Sequence, residues 1–281
     1  MKDRLCNTFK YISKYVWNLL SDSHYYGFYQ TSPKHISIGL SLSEETISDM
    51  TLLKTSQRHP YDIISVKFGK TLESGEGTDW EWWVISSSGI IGLKLQAKRI
   101  HVKSNNYEYT FLDYKPKNSK KYQAEILVEQ AQKKRMIPLY IFFNWWDLNY
   151  PFRNYINRNI PQCCKVYTSR SLGVTIASGW EIKRAVFNKQ KSLSHILPLS
   201  YPIRCLACCQ NSDLTESVFK FLQKITGKKI EEKNYLHKQL PRELYLRLRG
   251  EFKDTSPIYT IFLLDLESPH DDMYKILEII R

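Results

Sequence analysis

The stretch Thr71–His101, TLESGEGTDWEWWVISSSGIIGLKLQAKRIH, decides how the rest of the chain reads. It divides into two strands, Asp79–Ser86 and Ile90–Ile100, with Ser87-Ser88-Gly89 as turn material between them. Side chains alternate across a strand, so Asp79 and Glu81 leave by one face while Trp80 and Trp82 leave by the other. On the second strand Gln96 and Lys98 share a face, and Leu93, Leu95 and Ala97 share the opposite one. A carboxylate on one strand of a hairpin, facing an amide oxygen and a lysine on its partner, is a compact constellation. It can hold a divalent cation through oxygen ligands and set an ammonium beside it. The neighbouring Trp80, Trp82 and Trp83 are read as core residues.

Outward from this hairpin the pattern is one of alternating helix and strand. Ser43 is a good N-cap, Glu44 and Glu45 fall in a first turn where the helix dipole favours anions, and Ile47, Met50 and Leu53 form the apolar stripe of a helix over about 43–56. Tyr61–Phe68 has strand composition and feeds the turn at Gly75–Gly77, giving a three-strand meander with the hairpin. Tyr122–Met136 is helical, with Ile126, Val128 and Ala131 inward, and Pro138 marks its end. The run Leu139–Phe143 is continuously apolar, as expected of a buried parallel strand. Between these, residues 102–121 interleave Tyr107, Tyr109, Phe111 and Tyr114 with lysines. Such a segment either tracks a nucleic-acid backbone and stacks bases or is a solvated edge, and composition leaves both open.

Gly77-Thr78-Asp79 at a strand start and Gln96-Ala97-Lys98-Arg99 at the end of the next resemble the PD-(D/E)XK nuclease superfamily, in particular its Q-x-K branch with the Mrr-type restriction endonucleases. The resemblance covers roughly residues 43–143 and implies an α/β fold. That fold is a restriction-endonuclease-like α-β-β-β-α-β core with a mixed sheet, to which an N-terminal helix and α/β C-terminal additions are attached. It further implies a metal-dependent endonuclease hydrolysing DNA, in restriction or anti-phage defence. Asp79 would ligate Mg²⁺ or Mn²⁺, Gln96 would stand where the family more often has Glu, and Lys98 would assist the attacking water. The family's helix carboxylate falls on Glu44 or Glu45, a choice periodicity leaves open, and Glu81 is the alternative third metal ligand. The whole chain, including Leu5–Trp17 and Ser178–Arg184, also resembles an uncharacterised bacterial family with the same GxDxEW and QAKR features.

The flanks say less. Leu5, Phe9, Ile12, Val16 and Leu19 mark an amphipathic helix over 3–21, read as packed on the core rather than on a membrane, with 22–42 as connection. Residues 148–165 read as loop, Val166–Ser178 as a short strand and turn, and Gly179–Asn188 and Leu214–Ile225 as helices, the latter stopped by Gly227. Pro257–Leu264 reads as a strand and Met273–Ile280 as a helix. The expected division is 1–42, 43–147 and 148–281. Cys163-Cys164 with Cys205, Cys208 and Cys209 lacks the paired spacing of a zinc site, and these cysteines are read as reduced, small hydrophobes.

Across 281 residues, 41 Lys and Arg against 28 Asp and Glu leave a net charge of +13, which suits a polyanionic partner. No Walker loop, dinucleotide fingerprint or GxSxG is present, which argues against nucleotide-binding and esterase classes. No signal peptide or membrane-length apolar run appears, so a cytoplasmic location is expected. The partners expected are nucleic acid, read as double-stranded DNA, and a second copy of the chain as a homodimer, with no membrane. The competing expectation is a non-catalytic nucleic-acid-binding or assembly protein on the same fold.

Overall fold

The computed structural model describes residues 2–29, 42–67, 78–103, 106–117, 119–148, 168–208, 213–226, 230–251, 259–265, 267 and 270–280. The glycine turn at 75–77, Cys163-Cys164, most of the loop 148–165, Cys209, Gly227 and Pro257 lie outside them. In chain order the elements are α1 (Lys2–Tyr29), α2 (Glu44–Arg58), β1 (Ile63–Lys67), β2 (Trp80–Ser86), β3 (Gly89–Arg99), β4 (His101–Lys103), β5 (Asn106–Glu108), α3 (Gln123–Lys133), β6 (Ile137–Phe143), β7 (Val174–Ser178), α4 (Gly179–Phe187), α5 (Leu193–Ile196), β8 (Ser200–Pro202), α6 (Leu214–Thr226), α7 (Glu232–Tyr235), β9 (Leu236–His237), α8 (Arg242–Leu248), β10 (Tyr259–Leu264) and α9 (Asp271–Ile280).

The hairpin β2–β3 is antiparallel, with Trp80 opposite Leu95 and Ser86 opposite Gly89 across a two-residue turn. Gly89 has φ +135°, a conformation only glycine adopts without strain, and a side chain there would meet Leu236 Cδ1 at 2.8 Å. β6 runs parallel to β3, as its unbroken apolar composition suggests. The sheet order is β1-β10-β2-β3-β6-β7-β8, with β9 pairing β3, so the α/β protein is built on a mixed sheet.

The expected three-strand meander does not form, because β10 lies between β1 and β2, antiparallel to the first and parallel to the second. Burial explains the exchange. The described part of β1 exposes Ser65 and half-exposes Ile64 and Val66, as an edge strand does, whereas Ile261–Leu264 of β10 are all buried. A strand that apolar on both faces needs neighbours on both sides, and the central slot supplies them.

Helices cover both faces of the sheet. On one face Trp80, Trp82 and Val84 meet α1, where Phe9 stacks on Trp82 at 6.4 Å, and α2 packs beside α1. Fully burying side chains such as Phe9, Ile12 and Val16 contributes about 1.5–3 kcal/mol each. On the other face α3 and α4 lie over β6, and Leu244 of α8 and Ile276 of α9 pack with Trp83 and Phe262. All three hairpin tryptophans are core residues, at most 3% exposed. α1 runs on to Tyr29, past the expected end at 21, since His24 and Tyr25 pack their rings on Trp145 at 4.7 and 5.8 Å. Among the described residues no helix is long and apolar enough to cross a membrane.

Candidate active site at the end of the central hairpin

Asp79 stands one residue before β2, and its N–H donates to the Leu95 carbonyl at 3.0 Å. With Trp80 opposite Leu95, this places Asp79 opposite Gln96, and period-2 alternation puts Asp79, Glu81, Lys94, Gln96 and Lys98 on one face. Asp79 Oδ2 accepts from the Ala97 N–H at 2.9 Å and from the Gln96 amide. On the parallel side Gln96 lies opposite Tyr140 of β6, so the phenol joins the same face.

The helix side supplies a second carboxylate. Ser43 caps α2 by accepting from the Thr46 N–H at 3.0 Å, which sets Glu44 in the first turn. Glu44 turns from its own helix dipole to the strand end, where its Oε2 accepts from the Arg99 N–H at 3.0 Å and its Oε1 lies 3.6 Å from Lys98 Nζ. Periodicity leaves the choice between Glu44 and Glu45 open, with Glu44 nearer the buried stripe, and the structure brings Glu44 to the cluster while Glu45 is exposed. The charge of Glu45 still reaches Asp79. Glu81 shares the face but is engaged elsewhere, 3.6 Å from Lys94 Nζ and 3.8 Å from the Arg247 guanidinium. Both partners of Glu81 are themselves buried, an arrangement in which removing one charge would strand the others.

Burial dominates the electrostatics of the cluster. It pushes the Asp79 carboxyl above its ordinary range, against the opposing pull of Lys98, the Ala97 N–H and Gln96. Burial likewise raises Glu44, with Lys98 lowering it and Asp79 raising it further. One ammonium thus serves two carboxylates that repel each other. Tyr140, fully buried, is held well above the usual phenol range by burial and then by Asp79 and Glu44.

Beside Asp79, Gln96 Oε1 and the Tyr140 hydroxyl are buried and have no hydrogen-bond partner among the described residues. The sequence has Gln96 present its oxygen to a metal. In the structure its NH₂ faces Asp79 instead, because a carboxylate oxygen needs a donor, and Oε1 is left over. Among the described residues no group of three or more His, Cys, Asp or Glu side chains is gathered to hold a metal ion. Two carboxylates flank Lys98 here, and the orphaned amide oxygen would join them on rotation of the Gln96 amide. An all-oxygen set of this kind fits Mg²⁺ or Mn²⁺, with water completing the coordination. Cys205 is buried, and the Cys6 thiol is pushed far up by its hydrogen bond with Cys208 and by burial, so these behave as inert small side chains.

Sequence reading misses three members of this face. Lys94 was legible in principle, since Lys94, Gln96 and Lys98 alternate along one strand. Tyr140 is hidden in an apolar run whose hydroxyl is its only polar side-chain atom, and Arg247 lies in α8, a helix with no apolar period long enough to announce it.

The fold and site define an α/β protein with a mixed sheet and a half-buried carboxylate–lysine cluster at the end of its central hairpin. The sequence profile of a family of unknown function, DUF6615, matches residues 5–276, and the chain belongs to that family. No curated protein and no solved structure matches it.

Proposed function

We propose that this chain is a divalent-metal-dependent nuclease on a restriction-endonuclease-like core, hydrolysing DNA phosphodiester bonds. The observation that carries the reading is the convergence of Asp79, Glu44 and Lys98, from a strand start, a helix start and a strand end, onto one half-buried spot. With the separate β4–β5 hairpin set aside, the succession α2-β1-β2-β3-α3-β6, with β6 parallel to β3, supports it, since this is the element order of the PD-(D/E)XK proteins that the Asp79, Gln96 and Lys98 motif resembles.

Asp79 and Glu44 would hold Mg²⁺ or Mn²⁺, with Gln96 Oε1 available once its amide rotates. Bound there, the ion supplies Lewis-acid polarisation of a phosphoryl oxygen and a water of lowered pKa. The chain's own groups do the rest. The N–H groups of Ala97 and Arg99 fix the two carboxylates in place. Lys98 offers an ammonium to charge developing on the scissile phosphate and steers the attacking water. Tyr140, kept protonated, brings the cluster a neutral hydroxyl and no charge.

Incubation of supercoiled plasmid with the protein and Mg²⁺ or Mn²⁺ tests the proposal. Wild type is expected to nick the plasmid, and Lys98→Ala to lose at least about a hundredfold in rate while keeping its fold and nucleic-acid affinity. Nucleic-acid binding with no cleavage under either metal would favour the non-catalytic reading instead.

A further inference from the structure

Beside the cluster, on the surface that β3 and α3 share, the protein carries rings and cations that the proposed chemistry does not use. Phe111, Tyr114 and Phe187 are 59%, 40% and 52% exposed. Single exposed apolar residues are ordinary, but these belong to one connected strip. His101, two residues beyond the strand end that Glu44 engages, meets Phe111 at 5.7 Å. The turn after Phe111 folds back on the start of α3, where the Gln123 N–H donates to the Tyr114 carbonyl at 2.9 Å. Tyr122 there meets Phe187 of α4 at 5.7 Å, edge to face.

Lysines are threaded through the same strip. Lys115 Nζ lies 4.2 Å above the Tyr122 ring, and Lys183 Nζ lies 6.0 Å from the Phe187 ring. Some of the local charge is spent within the protein: Lys121 pairs with Glu129 at 2.7 Å and Lys191 with Asp113 at 3.3 Å. Lys115, Lys117, Lys120 and Lys189 are exposed and have no acidic partner among the described residues. His101 adds a ring and no charge, because burial and then Arg99 lower its pKa to about 4.

We propose that this strip, from His101 through Phe111 and Tyr114 to Phe187, is the track on which an unpaired DNA strand lies as it enters the Asp79–Lys98 site. The inference rests on the nuclease reading for the identity of the polymer, and on the strip itself for its single-stranded form. A duplex turns its phosphates outward and hides the faces of its bases, so it would use the lysines and leave the rings idle. An unpaired strand presents both, its phosphates to the lysines and its splayed bases to Phe111, Tyr114 and Phe187. The substrate is therefore DNA with unpaired nucleotides at the point of cleavage, and the expected double-stranded partner is not the form this surface fits.

Fluorescence anisotropy with a labelled oligothymidylate, in EDTA so that no cleavage intervenes, tests the track. Wild type is expected to bind the oligothymidylate more tightly than a duplex of the same length, with an affinity that falls steeply as salt rises. Phe111→Ala and Phe187→Ala should each weaken binding by about tenfold, while Phe111→Trp restores it. These ring positions are exposed, and unchanged melting of each variant separates lost binding from lost folding. Tighter binding to the duplex, tighter binding to oligouridylate, or indifference to both ring substitutions overturns the proposal. A protein that shows the expected binding but never cleaves in Mg²⁺ or Mn²⁺ keeps the track and loses the nuclease reading, so the two fail separately.

Discussion

Asp79 bears most of the conflict between stability and chemistry in this chain. Burial raises its pKa, as it does that of Glu44. A carboxyl whose pKa is higher in the fold than in the unfolded chain binds its proton more tightly when folded. Its contribution to stability is then fully present below the unfolded value and is lost as pH rises through the folded one. At neutral pH an ionised Asp79 is thus a burden on the fold. Asp79→Asn keeps an oxygen that can accept from Ala97 and removes the charge. Its melting temperature at neutral pH should exceed that of wild type by an amount worth on the order of 1 kcal/mol, and the difference should shrink as pH falls into the carboxylate range. Mg²⁺ should raise the melting temperature of wild type by mass action and leave Asp79→Asn unmoved. A variant less stable than wild type at neutral pH would mean that the charge-assisted bonds from Ala97 and Gln96 outweigh burial.

At the scale of elements, the cluster depends on how α2 is held, because α2 alone brings Glu44. Its other end is clasped to α1 and to the turn before β1 by a buried relay. His59 Nδ1 lies 2.9 Å from Asp62 Oδ2, and Nε2 lies 2.8 Å from Thr8 Oγ1. In a neutral imidazole, Nδ1–H donates to the carboxylate and Nε2 accepts from the hydroxyl. The Thr8 oxygen in turn accepts from Arg58 Nε at 3.2 Å. His59→Ala would leave Thr8 and Asp62 buried with lost partners, at an expected cost of about 2–4 kcal/mol. Urea denaturation should show a lower midpoint with an unchanged slope, and an unchanged midpoint would mean the relay is dispensable. Local pattern made much of this scale legible. Alternation alone set Asp79 with Glu81 and Gln96 with Lys98, and the Ser43 cap with its apolar stripe gave α2 to within two residues. It could not choose Glu44 over Glu45, because both complement the helix dipole and only the position of Arg99, 55 residues on, distinguishes them. The His59 relay was equally invisible, since Thr8 and His59 are 51 residues apart.

At the scale of the molecule, the least legible feature is the most consequential for folding. The apolar run ending at Leu264 is plainly a strand, but nothing local says that it inserts between β1 and β2. Consecutive strands usually pair, so the sequence favours a meander, and only the competition for central burial reverses it. The insertion makes the far end of the chain part of the site's own scaffold. Ile261 and Leu263 of β10 share the core with Ile63 of β1, and Asp265, just beyond β10, accepts from the Leu214 N–H at 3.1 Å to hold the start of α6. A chain cut after residue 250 would keep every residue of the candidate cluster and lose the strand that joins β1 to the hairpin. β1 and β2 would then each face solvent with an unpaired ladder edge, beside apolar rows that β10 had covered. Such a chain is expected to be insoluble, or to lack the cooperative melting of the full protein by circular dichroism, and to bind no metal. By contrast, if residues 43–143 sufficed for folding, the same cut would leave a cooperative transition and cleavage in Mg²⁺. A cooperative melt of the shortened chain would mean that β10 completes the sheet without being required by it, and that β1 can reach β2 on its own.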